Sequence, residues 1–543
     1  MDMNDALKNI ETVFVIDGFY LEPNGVMQSV MNKTRLMENE WGYRPIIFVT
    51  RYATDIKSIQ GFMETEFSDR PAQLNPGTRV IGMFEYLCGM YPYKTDIAAV
   101  EYPRCDPDEG LEYEEPEPDI YMGYKDGKHV RTEIFSAPGG RLRYIVFFDG
   151  DGKREKTFEF DDIGQLSRLT VWDKDIESYH PAEYYFSPDK KIRIIAQYRW
   201  EADANRVDDP VSRGRGDQNV LLRYLLHDKN ENPVQEFNLH TSLVAYCLDE
   251  LSLAKGKKVL LMDETGVYSD GVAYTKSLNV IKAHVMHGNF LSEPGNINSP
   301  PSVYLKGVCA NRDRFDGIIF LTKGLKNDFI KKYGFSKNYF VMGHPYPFEV
   351  KARPFGERDG KKAVMVTRFD AGKRVELAVE IFKRVCDELD DVTLDIYGFG
   401  HGITNTEGNI NQQIKNLGLS ERVTLKGYTN NAAEVFSNAA VSLMTSAHEA
   451  YPLTLIESVC GGCPAFAFNV KHGPPEIIKD GITGCLIQDN DEAAYARKLI
   501  SFFNDEEARR NMTDNCYKDA ASFGKEVFLN NWLSFMNTVA NRS

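Results

Sequence analysis

The stretch from Ala440 to Ile478, AVSLMTSAHEAYPLTLIESVCGGCPAFAFNVKHGPPEII, constrains this chain more than any other. Val441-Ser442-Leu443-Met444 is an apolar run of strand length, and it breaks into the polar loop Ser446 to Tyr451. Pro452 suits a first helical turn, Leu453, Leu455, Ile456, Val459 and Cys460 give that helix a packing face, and Gly461-Gly462 stops it. A second apolar strand, Pro464 to Phe468, follows. In a strand, loop, helix, strand unit the loop sits at the carboxyl end of a strand, where the helix opens with free N–H groups that suit an anion. Glu449 and Glu457 flank that place. Carboxylates repel phosphate but accept hydrogen bonds from hydroxyls, so the pattern points to a sugar nucleotide.

The rest of the C-terminal half repeats the unit. Strands are expected at Ala363–Thr367, Val392–Tyr397 and Arg422–Lys426, with helices at Arg374–Leu389, Asn409–Leu417 and Ala432–Asn438. Regular alternation of this kind predicts a parallel sheet with crossover helices, here over residues 346–524. Residues 1–100 and 239–345 read as a second α/β unit. Val13–Phe19 and Pro45–Tyr52 are its first strands, Gly25 opens a helix after the first of them, and the segments up to Cys88 are ambiguous. Val259–Asp263, Ala283–Gly288, Phe315–Thr322 and Phe340–Gly343 complete it.

Between the two parts of that unit the text changes. Residues 101–118 are acidic and contain proline, reading as a linker. From Asp119 to Asn238, eight alternating segments separated by turn signals predict an all-β insertion, domain 101–238.

At the end of the second unit's first strand stand Arg368 and Lys373, on the same sheet edge as the Glu449 loop, because ligand sites in parallel sheets collect at strand carboxyl ends. Two cations there would neutralise a diphosphate and the charge that grows on it as it leaves. His284 and His287 end a strand of the first unit, but no third metal ligand is evident, so no metal is expected. Asp149-Gly150-Asp151 is read as a hairpin turn and Cys460-Gly-Gly-Cys463 as packing at a helix end. The glycine-rich turn Tyr397 to Gly402 lacks the continuation of a dinucleotide fingerprint.

Glu449 and Glu457, with seven residues between them, resemble the E-x7-E motif of the retaining GT-B glycosyltransferases. Lys471-His472-Gly473-Pro474-Pro475-Glu476 is similar to the loop that closes the site in bacterial wall teichoic acid α-glycosyltransferases and in accessory-secretion protein O-glycosyltransferases. The resemblance implies two Rossmann-like domains facing across a cleft, with a C-terminal helix from about 525 crossing back to the first domain through Trp532, Leu533 and Phe535. It implies roles as well. Arg368 and Lys373 would stabilise the leaving diphosphate, Glu449 would orient sugar hydroxyls, Glu457 would hold the ribose and His287 would contact donor sugar and acceptor. Leu453, Thr454 and Leu455 at the helix start, Gly25, and Tyr428 as a base-stacking residue would complete the donor site; a tyrosine packed in the fold fits Tyr428 equally well. The family commonly has Gly-Gly where this chain has Asn24-Gly25.

Retaining transfer of glucose or N-acetylglucosamine from a UDP-sugar, without a cofactor, is therefore expected, the acceptor being a poly(polyol-phosphate) or a Ser/Thr-rich protein. A non-catalytic GT-B-like partner subunit is the competing class, but such a partner would be expected to have a degraded donor site. Arg141, Arg143, Lys153, Arg154 and Lys156 on adjacent strands of the insertion are the candidate basic patch for a phosphate polymer. The insertion is also expected to pair copies of the chain into a homo-oligomer, possible as a trimer. A net charge of −15 argues against general nucleic-acid binding. With no apolar run of bilayer-spanning length, no signal-peptide plan, and nine scattered cysteines, a cytoplasmic protein is expected, acting at the inner face of the membrane if its acceptor is there.

Overall fold

Three sheets organise the chain, as seen in a computed structural model that describes residues 8–542 except 21–23, 54, 66–73, 92–109, 137–140, 174–179, 201–218, 347–348, 401–405 and 430. The first is a parallel sheet of seven strands. Its spatial order is Tyr339–Val341, Gly317–Phe320, Val280–Met286, Val259–Asp263, Glu11–Ile16, Ile46–Val49, Arg79–Gly82. The second is a parallel sheet of six, in the order Val423–Gly427, Thr393–Tyr397, Asp359–Val366, Ala439–Met444, Ala465–Phe468, Gly484–Ile487. Glu11–Ile16 and Ala439–Met444 are buried along their whole length, as strands covered by helices on both faces must be. The ambiguous region before Cys88 holds the helix Ile56–Thr65, the edge strand Arg79–Gly82 and the short helix Met83–Leu87.

The carboxyl ends of the two parallel sheets face each other across a cleft. Tyr451, from the loop after Ala439–Met444, lies against Gly343 so closely that a Cβ there would overlap its ring. The same ring sits 5.7 Å from His344, just past the last strand of the first sheet. The final helix, Lys525–Ala540, returns to the first domain as expected: Trp532, Phe535, Met536 and Val539 are buried with Phe14, Ile47 and Met262, and Phe14 and Trp532 have ring centroids 5.8 Å apart.

The third sheet is antiparallel and has ten strands, from Glu112–Glu117 at one edge to Pro233–Phe237 at the other. Both edges depart from expectation. Glu112–Glu117 falls in the presumed linker, whose residues 101–109 lie outside the described part, and Pro233–Phe237 carries no strand pattern in the sequence. An edge strand needs only one partner and one apolar contact, which Tyr113 makes by packing on the cluster of Tyr121, Phe135, Leu142 and Phe160. Its glutamates stay in water and look like linker residues.

The insertion also shares a core with the domain that carries it. Tyr185, Ile194, Ala196, Leu221, Tyr224 and Phe237 are buried in one cluster with Phe84, Leu243 and Leu251 of the first domain. Arg168 bridges Glu159 (2.5 Å) and Glu183 (2.9 Å) and lies over the Tyr52 ring at 4.4 Å. Removing the whole sheet would therefore open the first domain's core. A sharper probe of the architecture is Trp532→Ala, which leaves a large cavity beneath the first sheet and is expected to lower stability by about 3–5 kcal/mol. Urea unfolding followed by fluorescence measures it. A loss below about 1 kcal/mol would mean that the last helix does not dock as described.

Candidate active site

The basic turn and the glutamate loop are brought together by backbone hydrogen bonds. Past the strand Asp359–Val366, Thr367 N donates to Tyr397 O and Phe369 N to Phe399 O, both at 2.9 Å, so the chain stays tied to the sheet. The Asp370 side chain then accepts from Gly372 N and opens the short turn Ala371–Lys373. Arg374, with φ of 51°, donates to Thr445 O and Ser446 O and pairs with Asp489 at 2.7 Å, and Ala447 N donates to Gly372 O. As a result Lys373 Nζ lies 2.6 Å from Glu449 Oε1, with 20% and 11% of the two side chains exposed. Arg368 stands at the mouth of the same edge, 60% exposed and 3.3 Å from Asp370. So open an ion pair holds its partner weakly and leaves the guanidinium available to an anion.

Behind this pair the helix Leu453–Cys460 begins at Pro452 without a side-chain cap, and Leu453 and Thr454 are partly open at its first turn. Leu455 is buried and anchors the turn. Glu457, one turn further on, has no hydrogen-bond or ion-pair partner among the described residues, and burial pushes its carboxyl up to about 7. Tyr428, after Gly427 with φ of 72°, is 51% exposed with its ring 5.6 Å from Phe399. That is a position at the rim, with Phe399 as a neighbouring ring. Across the cleft Asn24 caps the helix Gly25–Trp41 by accepting from Met27 N at 2.9 Å. A Cβ at Gly25 would meet nothing within 4 Å, so packing within the protein does not demand a glycine there.

The loop after Phe468 joins the two sides. His472 N and Gly473 N donate to Glu449 O at 2.6 and 3.0 Å, and Glu449 N donates to Lys471 O. Glu476 accepts from Lys323 N and Gly324 N, at 2.8 and 2.6 Å, at the start of the first-domain helix Lys323–Tyr333. Asp328 of that helix meets Lys471 at 3.0 Å and His472 at 3.2 Å. One loop thus holds the Glu449 backbone and latches onto the opposite domain.

On the first-domain side His287 Nε2 lies 2.6 Å from Glu264 Oε2, and Glu264 Oε1 lies 2.5 Å from Lys33 Nζ. The His287 ring stacks on His344 at 5.0 Å, and His344 Nδ1 lies 2.8 Å from Ser29 Oγ. The sequence pattern did not single out Lys33, Glu264 or His344. The available signal was a charged residue inside an otherwise apolar helix face, Lys33, and an acid at a strand's carboxyl end, Glu264. His284 is buried against Asp263 at 2.8 Å, a structural pair. Among the described residues no group of three or more His, Cys, Asp or Glu is placed to hold a metal ion. Asp149 accepts from Asp151 N and Lys153 N, as a hairpin turn does, and Cys460 and Cys463 are free thiols.

The five cations of the insertion do not form one patch. Arg143 pairs with Asp162 at 2.9 Å, and Arg141 donates to the Asp162 carbonyl. Arg154 is paired with Phe148 across the hairpin at the other end of the Arg141–Phe148 strand, roughly 16 Å along it from Arg143. Lys153 and Arg154 are exposed there, and Lys156 lies over the Phe147 ring at 4.6 Å. Adjacent strands were read correctly, but the register places the two groups at opposite ends.

The fold is of the GT-B kind, and residues 348–519 match the family "Glycosyl transferases group 1". Among particular proteins, the chain is similar to the poly(glycerol-phosphate) alpha-glucosyltransferase of Bacillus subtilis (strain 168), 21% identical over 406 residues, covering 74% of this chain and 57% of that protein. It is also similar to the poly(ribitol-phosphate) alpha-N-acetylglucosaminyltransferase of Staphylococcus aureus (strain COL), 24% identical over 56% of this chain and 60% of that protein. The matches thus span less than two thirds of either relative. Among solved structures, S. aureus TarM superposes with a TM-score of 0.77 at 18% identity over 97% of this chain and 99% of its own. The pneumococcal O-GlcNAc transferase GtfA, in complex with UDP and GlcNAc, gives 0.71 at 15% identity over 98% and 99%.

Glu457 supplies a test that needs no substrate. Its folded pKa, about 7, lies above the ordinary 4.5, so the folded state holds the proton more tightly. The stability this gives is present below pH 4.5 and is lost as pH rises through about 7. Glu457→Gln keeps the shape without the charge. The variant's melting temperature minus that of the wild type is therefore expected to be larger at pH 8 than at pH 5, and a difference that shrinks over that interval would contradict the burial of this carboxyl.

Proposed function

We propose that the chain is a retaining glycosyltransferase that moves a hexosyl group, glucose or N-acetylglucosamine, from a UDP-sugar in α linkage to a hydroxyl of a poly(polyol-phosphate) acceptor. The observation that carries this reading is the Lys373–Glu449 pair, set beside Arg368 and the uncapped start of the helix Leu453–Cys460. A diphosphate on that helix start would meet Arg368 and Lys373, whose charges stabilise it as it leaves. Glu449 and the unpartnered Glu457 would then face hydroxyls, Glu457 those of the ribose. Tyr428 would stack on the base, and Gly25 would let backbone approach the donor. In front-face transfer the acceptor oxygen bonds to the sugar's anomeric carbon, the bond to the phosphate oxygen breaks, and that oxygen takes the acceptor's proton. His287, across the cleft, would contact sugar and acceptor. No step calls for a metal or other cofactor.

Replacing Arg368 or Lys373 by Ala is expected to raise the barrier by about 2–4 kcal/mol each, as loss of a charge-stabilising donor does. Initial rates with labelled UDP-glucose and UDP-N-acetylglucosamine check it. Near-normal turnover in both variants would remove them from the mechanism. Calorimetry with UDP separates this reading from that of a non-catalytic partner subunit, which would not bind UDP at millimolar concentration.

A Ser/Thr-rich protein acceptor is favoured by one observation, the division of the insertion's cations into two groups, of which Arg143 is already paired. The chain is also 24% identical to a peptide N-acetylglucosaminyltransferase GtfA subunit of Streptococcus gordonii, over 72% of that protein. Salt distinguishes the acceptors: capture of a phosphate polymer weakens steeply with ionic strength, and a neutral peptide is little affected. If reversing Arg154 and Lys156 to Glu leaves transfer to teichoic acid intact, that end of the insertion does not capture it.

We propose that the inserted sheet, whose edge strands Glu112–Glu117 and Pro233–Phe237 bond a single neighbour each among the described residues, mediates a homo-oligomer. Among the described residues no helix is long and apolar enough to cross a membrane. Action in the cytoplasm, at the inner membrane face, fits the proposed acceptor.

A further inference from the structure

Lys33, Glu264, His287, His344 and Ser29 come from four separate segments, all at the cleft edge of the first sheet. Ser29 and Lys33 lie one turn apart on the helix Gly25–Trp41. Glu264 follows the strand Val259–Asp263 and is fixed by Glu264 N donating to Val15 O at 3.0 Å. His287 follows Val280–Met286, and His344 follows Tyr339–Val341. Burial is steep along this chain. The side chains of Glu264 and Lys33 are 0% and 3% exposed, whereas that of His287 is 14% exposed. Nδ1 of His287 has no hydrogen-bond partner among the described residues and is not a buried atom, so the open edge of the ring is the one away from Glu264.

We infer that Glu264 and Lys33 are positioning residues that fix His287 in the tautomer carrying its proton on Nε2, so that Nδ1 offers a lone pair to a substrate hydroxyl in the cleft. The inference rests on the glycosyl-transfer reading for the identity of that hydroxyl, which belongs to the transferred sugar or to the acceptor.

The argument is one of donors and acceptors. Lys33 Nζ is donor-only, and at 2.5 Å it takes one oxygen of Glu264. An ionised carboxylate is acceptor-only, so its second oxygen, 2.6 Å from His287 Nε2, must receive a proton from the ring. Against the burial that opposes ionisation, the Lys33 ammonium and then His287 hold the Glu264 carboxyl down at about 2. Burial lowers the pKa of His287 despite Glu264, and burial lowers that of the stacked His344 well below the usual range. Both rings are therefore neutral near pH 7, and a neutral ring with its proton on Nε2 has an acceptor at Nδ1. His344, with Ser29 on its Nδ1, supports the His287 ring by stacking.

The same logic gives an isosteric test. In Glu264→Gln the amide is expected to turn its oxygen to Lys33, whose nitrogen can donate to it whether or not burial strips its extra proton, and so to present its NH2 to His287 Nε2. The ring must then accept at Nε2 and carry its proton on Nδ1, which removes the acceptor from the cleft. Spectra of ¹⁵N-histidine-labelled protein distinguish the tautomers, and His287→Gln assigns the signal. The wild type is expected to show the Nε2–H form. The Glu264→Gln variant is expected to show the Nδ1–H form and to lose at least about 100-fold in kcat, with UDP affinity unchanged. The double variant Glu264→Gln with Lys33→Met frees the amide to turn its oxygen to His287, and is expected to regain Nε2–H signal and part of the turnover. A merely structural role predicts that the double variant is no better than the single one. An Nδ1–H or doubly protonated His287 in the wild type would overturn the inference, as would full turnover in a variant whose tautomer has switched. The tautomer is read without any turnover. A wild type with the Nε2–H form and UDP binding but no sugar transfer would overturn the proposed function while supporting the positioning by Glu264 and Lys33.

Discussion

The site depends on how Glu449 is held. Its side chain takes the Lys373 ammonium, and its backbone is bonded on both sides to the loop from Lys471 to Gly473. That loop in turn places Glu476 on the first turn of a helix in the other domain. Charge on a half-buried loop is unfavourable unless it is paired, and here every pairing crosses between elements distant in sequence. The position of Glu449 therefore sets the relation of the two sheets as much as it serves any ligand.

The site also retains groups that a purely structural protein would not keep. Glu457 sits on a helix among apolar residues without a partner, and Lys33 and Glu264 are a buried pair under the first sheet's cleft edge. A half-buried carboxylate without a partner is held at a cost, and a buried ion pair seldom gains over apolar residues of the same shape. Glu264 follows the carboxyl end of a parallel strand, and Lys33 and Glu457 lie on the helices Gly25–Trp41 and Leu453–Cys460 that come after such strands, where ligand sites in parallel sheets collect. The arrangement divides the work. The second domain gathers the cations Arg368 and Lys373 with the acids Glu449 and Glu457, and the first holds His287 against buried charge.

The ten-stranded sheet is less of an appendage than its position between two parts of a domain suggests. Its later strands carry Tyr185, Ile194 and Tyr224 into the first domain's core, while its earlier strands keep a small core of their own. Loss of the outer strands and loss of the inner ones are thus different perturbations. Among the described residues both edge strands, Glu112–Glu117 and Pro233–Phe237, bond a single neighbour in the sheet.

Local pattern was enough for the inner strands of the two parallel sheets, though not for their edge strands Arg79–Gly82 and Gly484–Ile487. Apolar runs of strand length alternating with amphipathic helices leave few other solutions, and the same pattern put Arg368, Lys373, Glu449 and Glu457 on one edge, because strand ends collect ligands. Strand edges were not legible, since Glu112–Glu117 and Pro233–Phe237 need only one bonded neighbour and keep polar side chains in water. The separation of Arg143 from Arg154 was legible, because the hairpin turn Asp149-Gly150-Asp151 sets Arg154 opposite Phe148, at the far end of the strand from Arg143. The grouping of Ser29, Lys33, Glu264, His287 and His344 lay furthest from reach. Sequence by itself determined which residues end strands and which face the apolar side of a helix. Only the tertiary structure decided which of those ends face one another, since such pairings are made by side chains up to 315 residues apart and no local period records them.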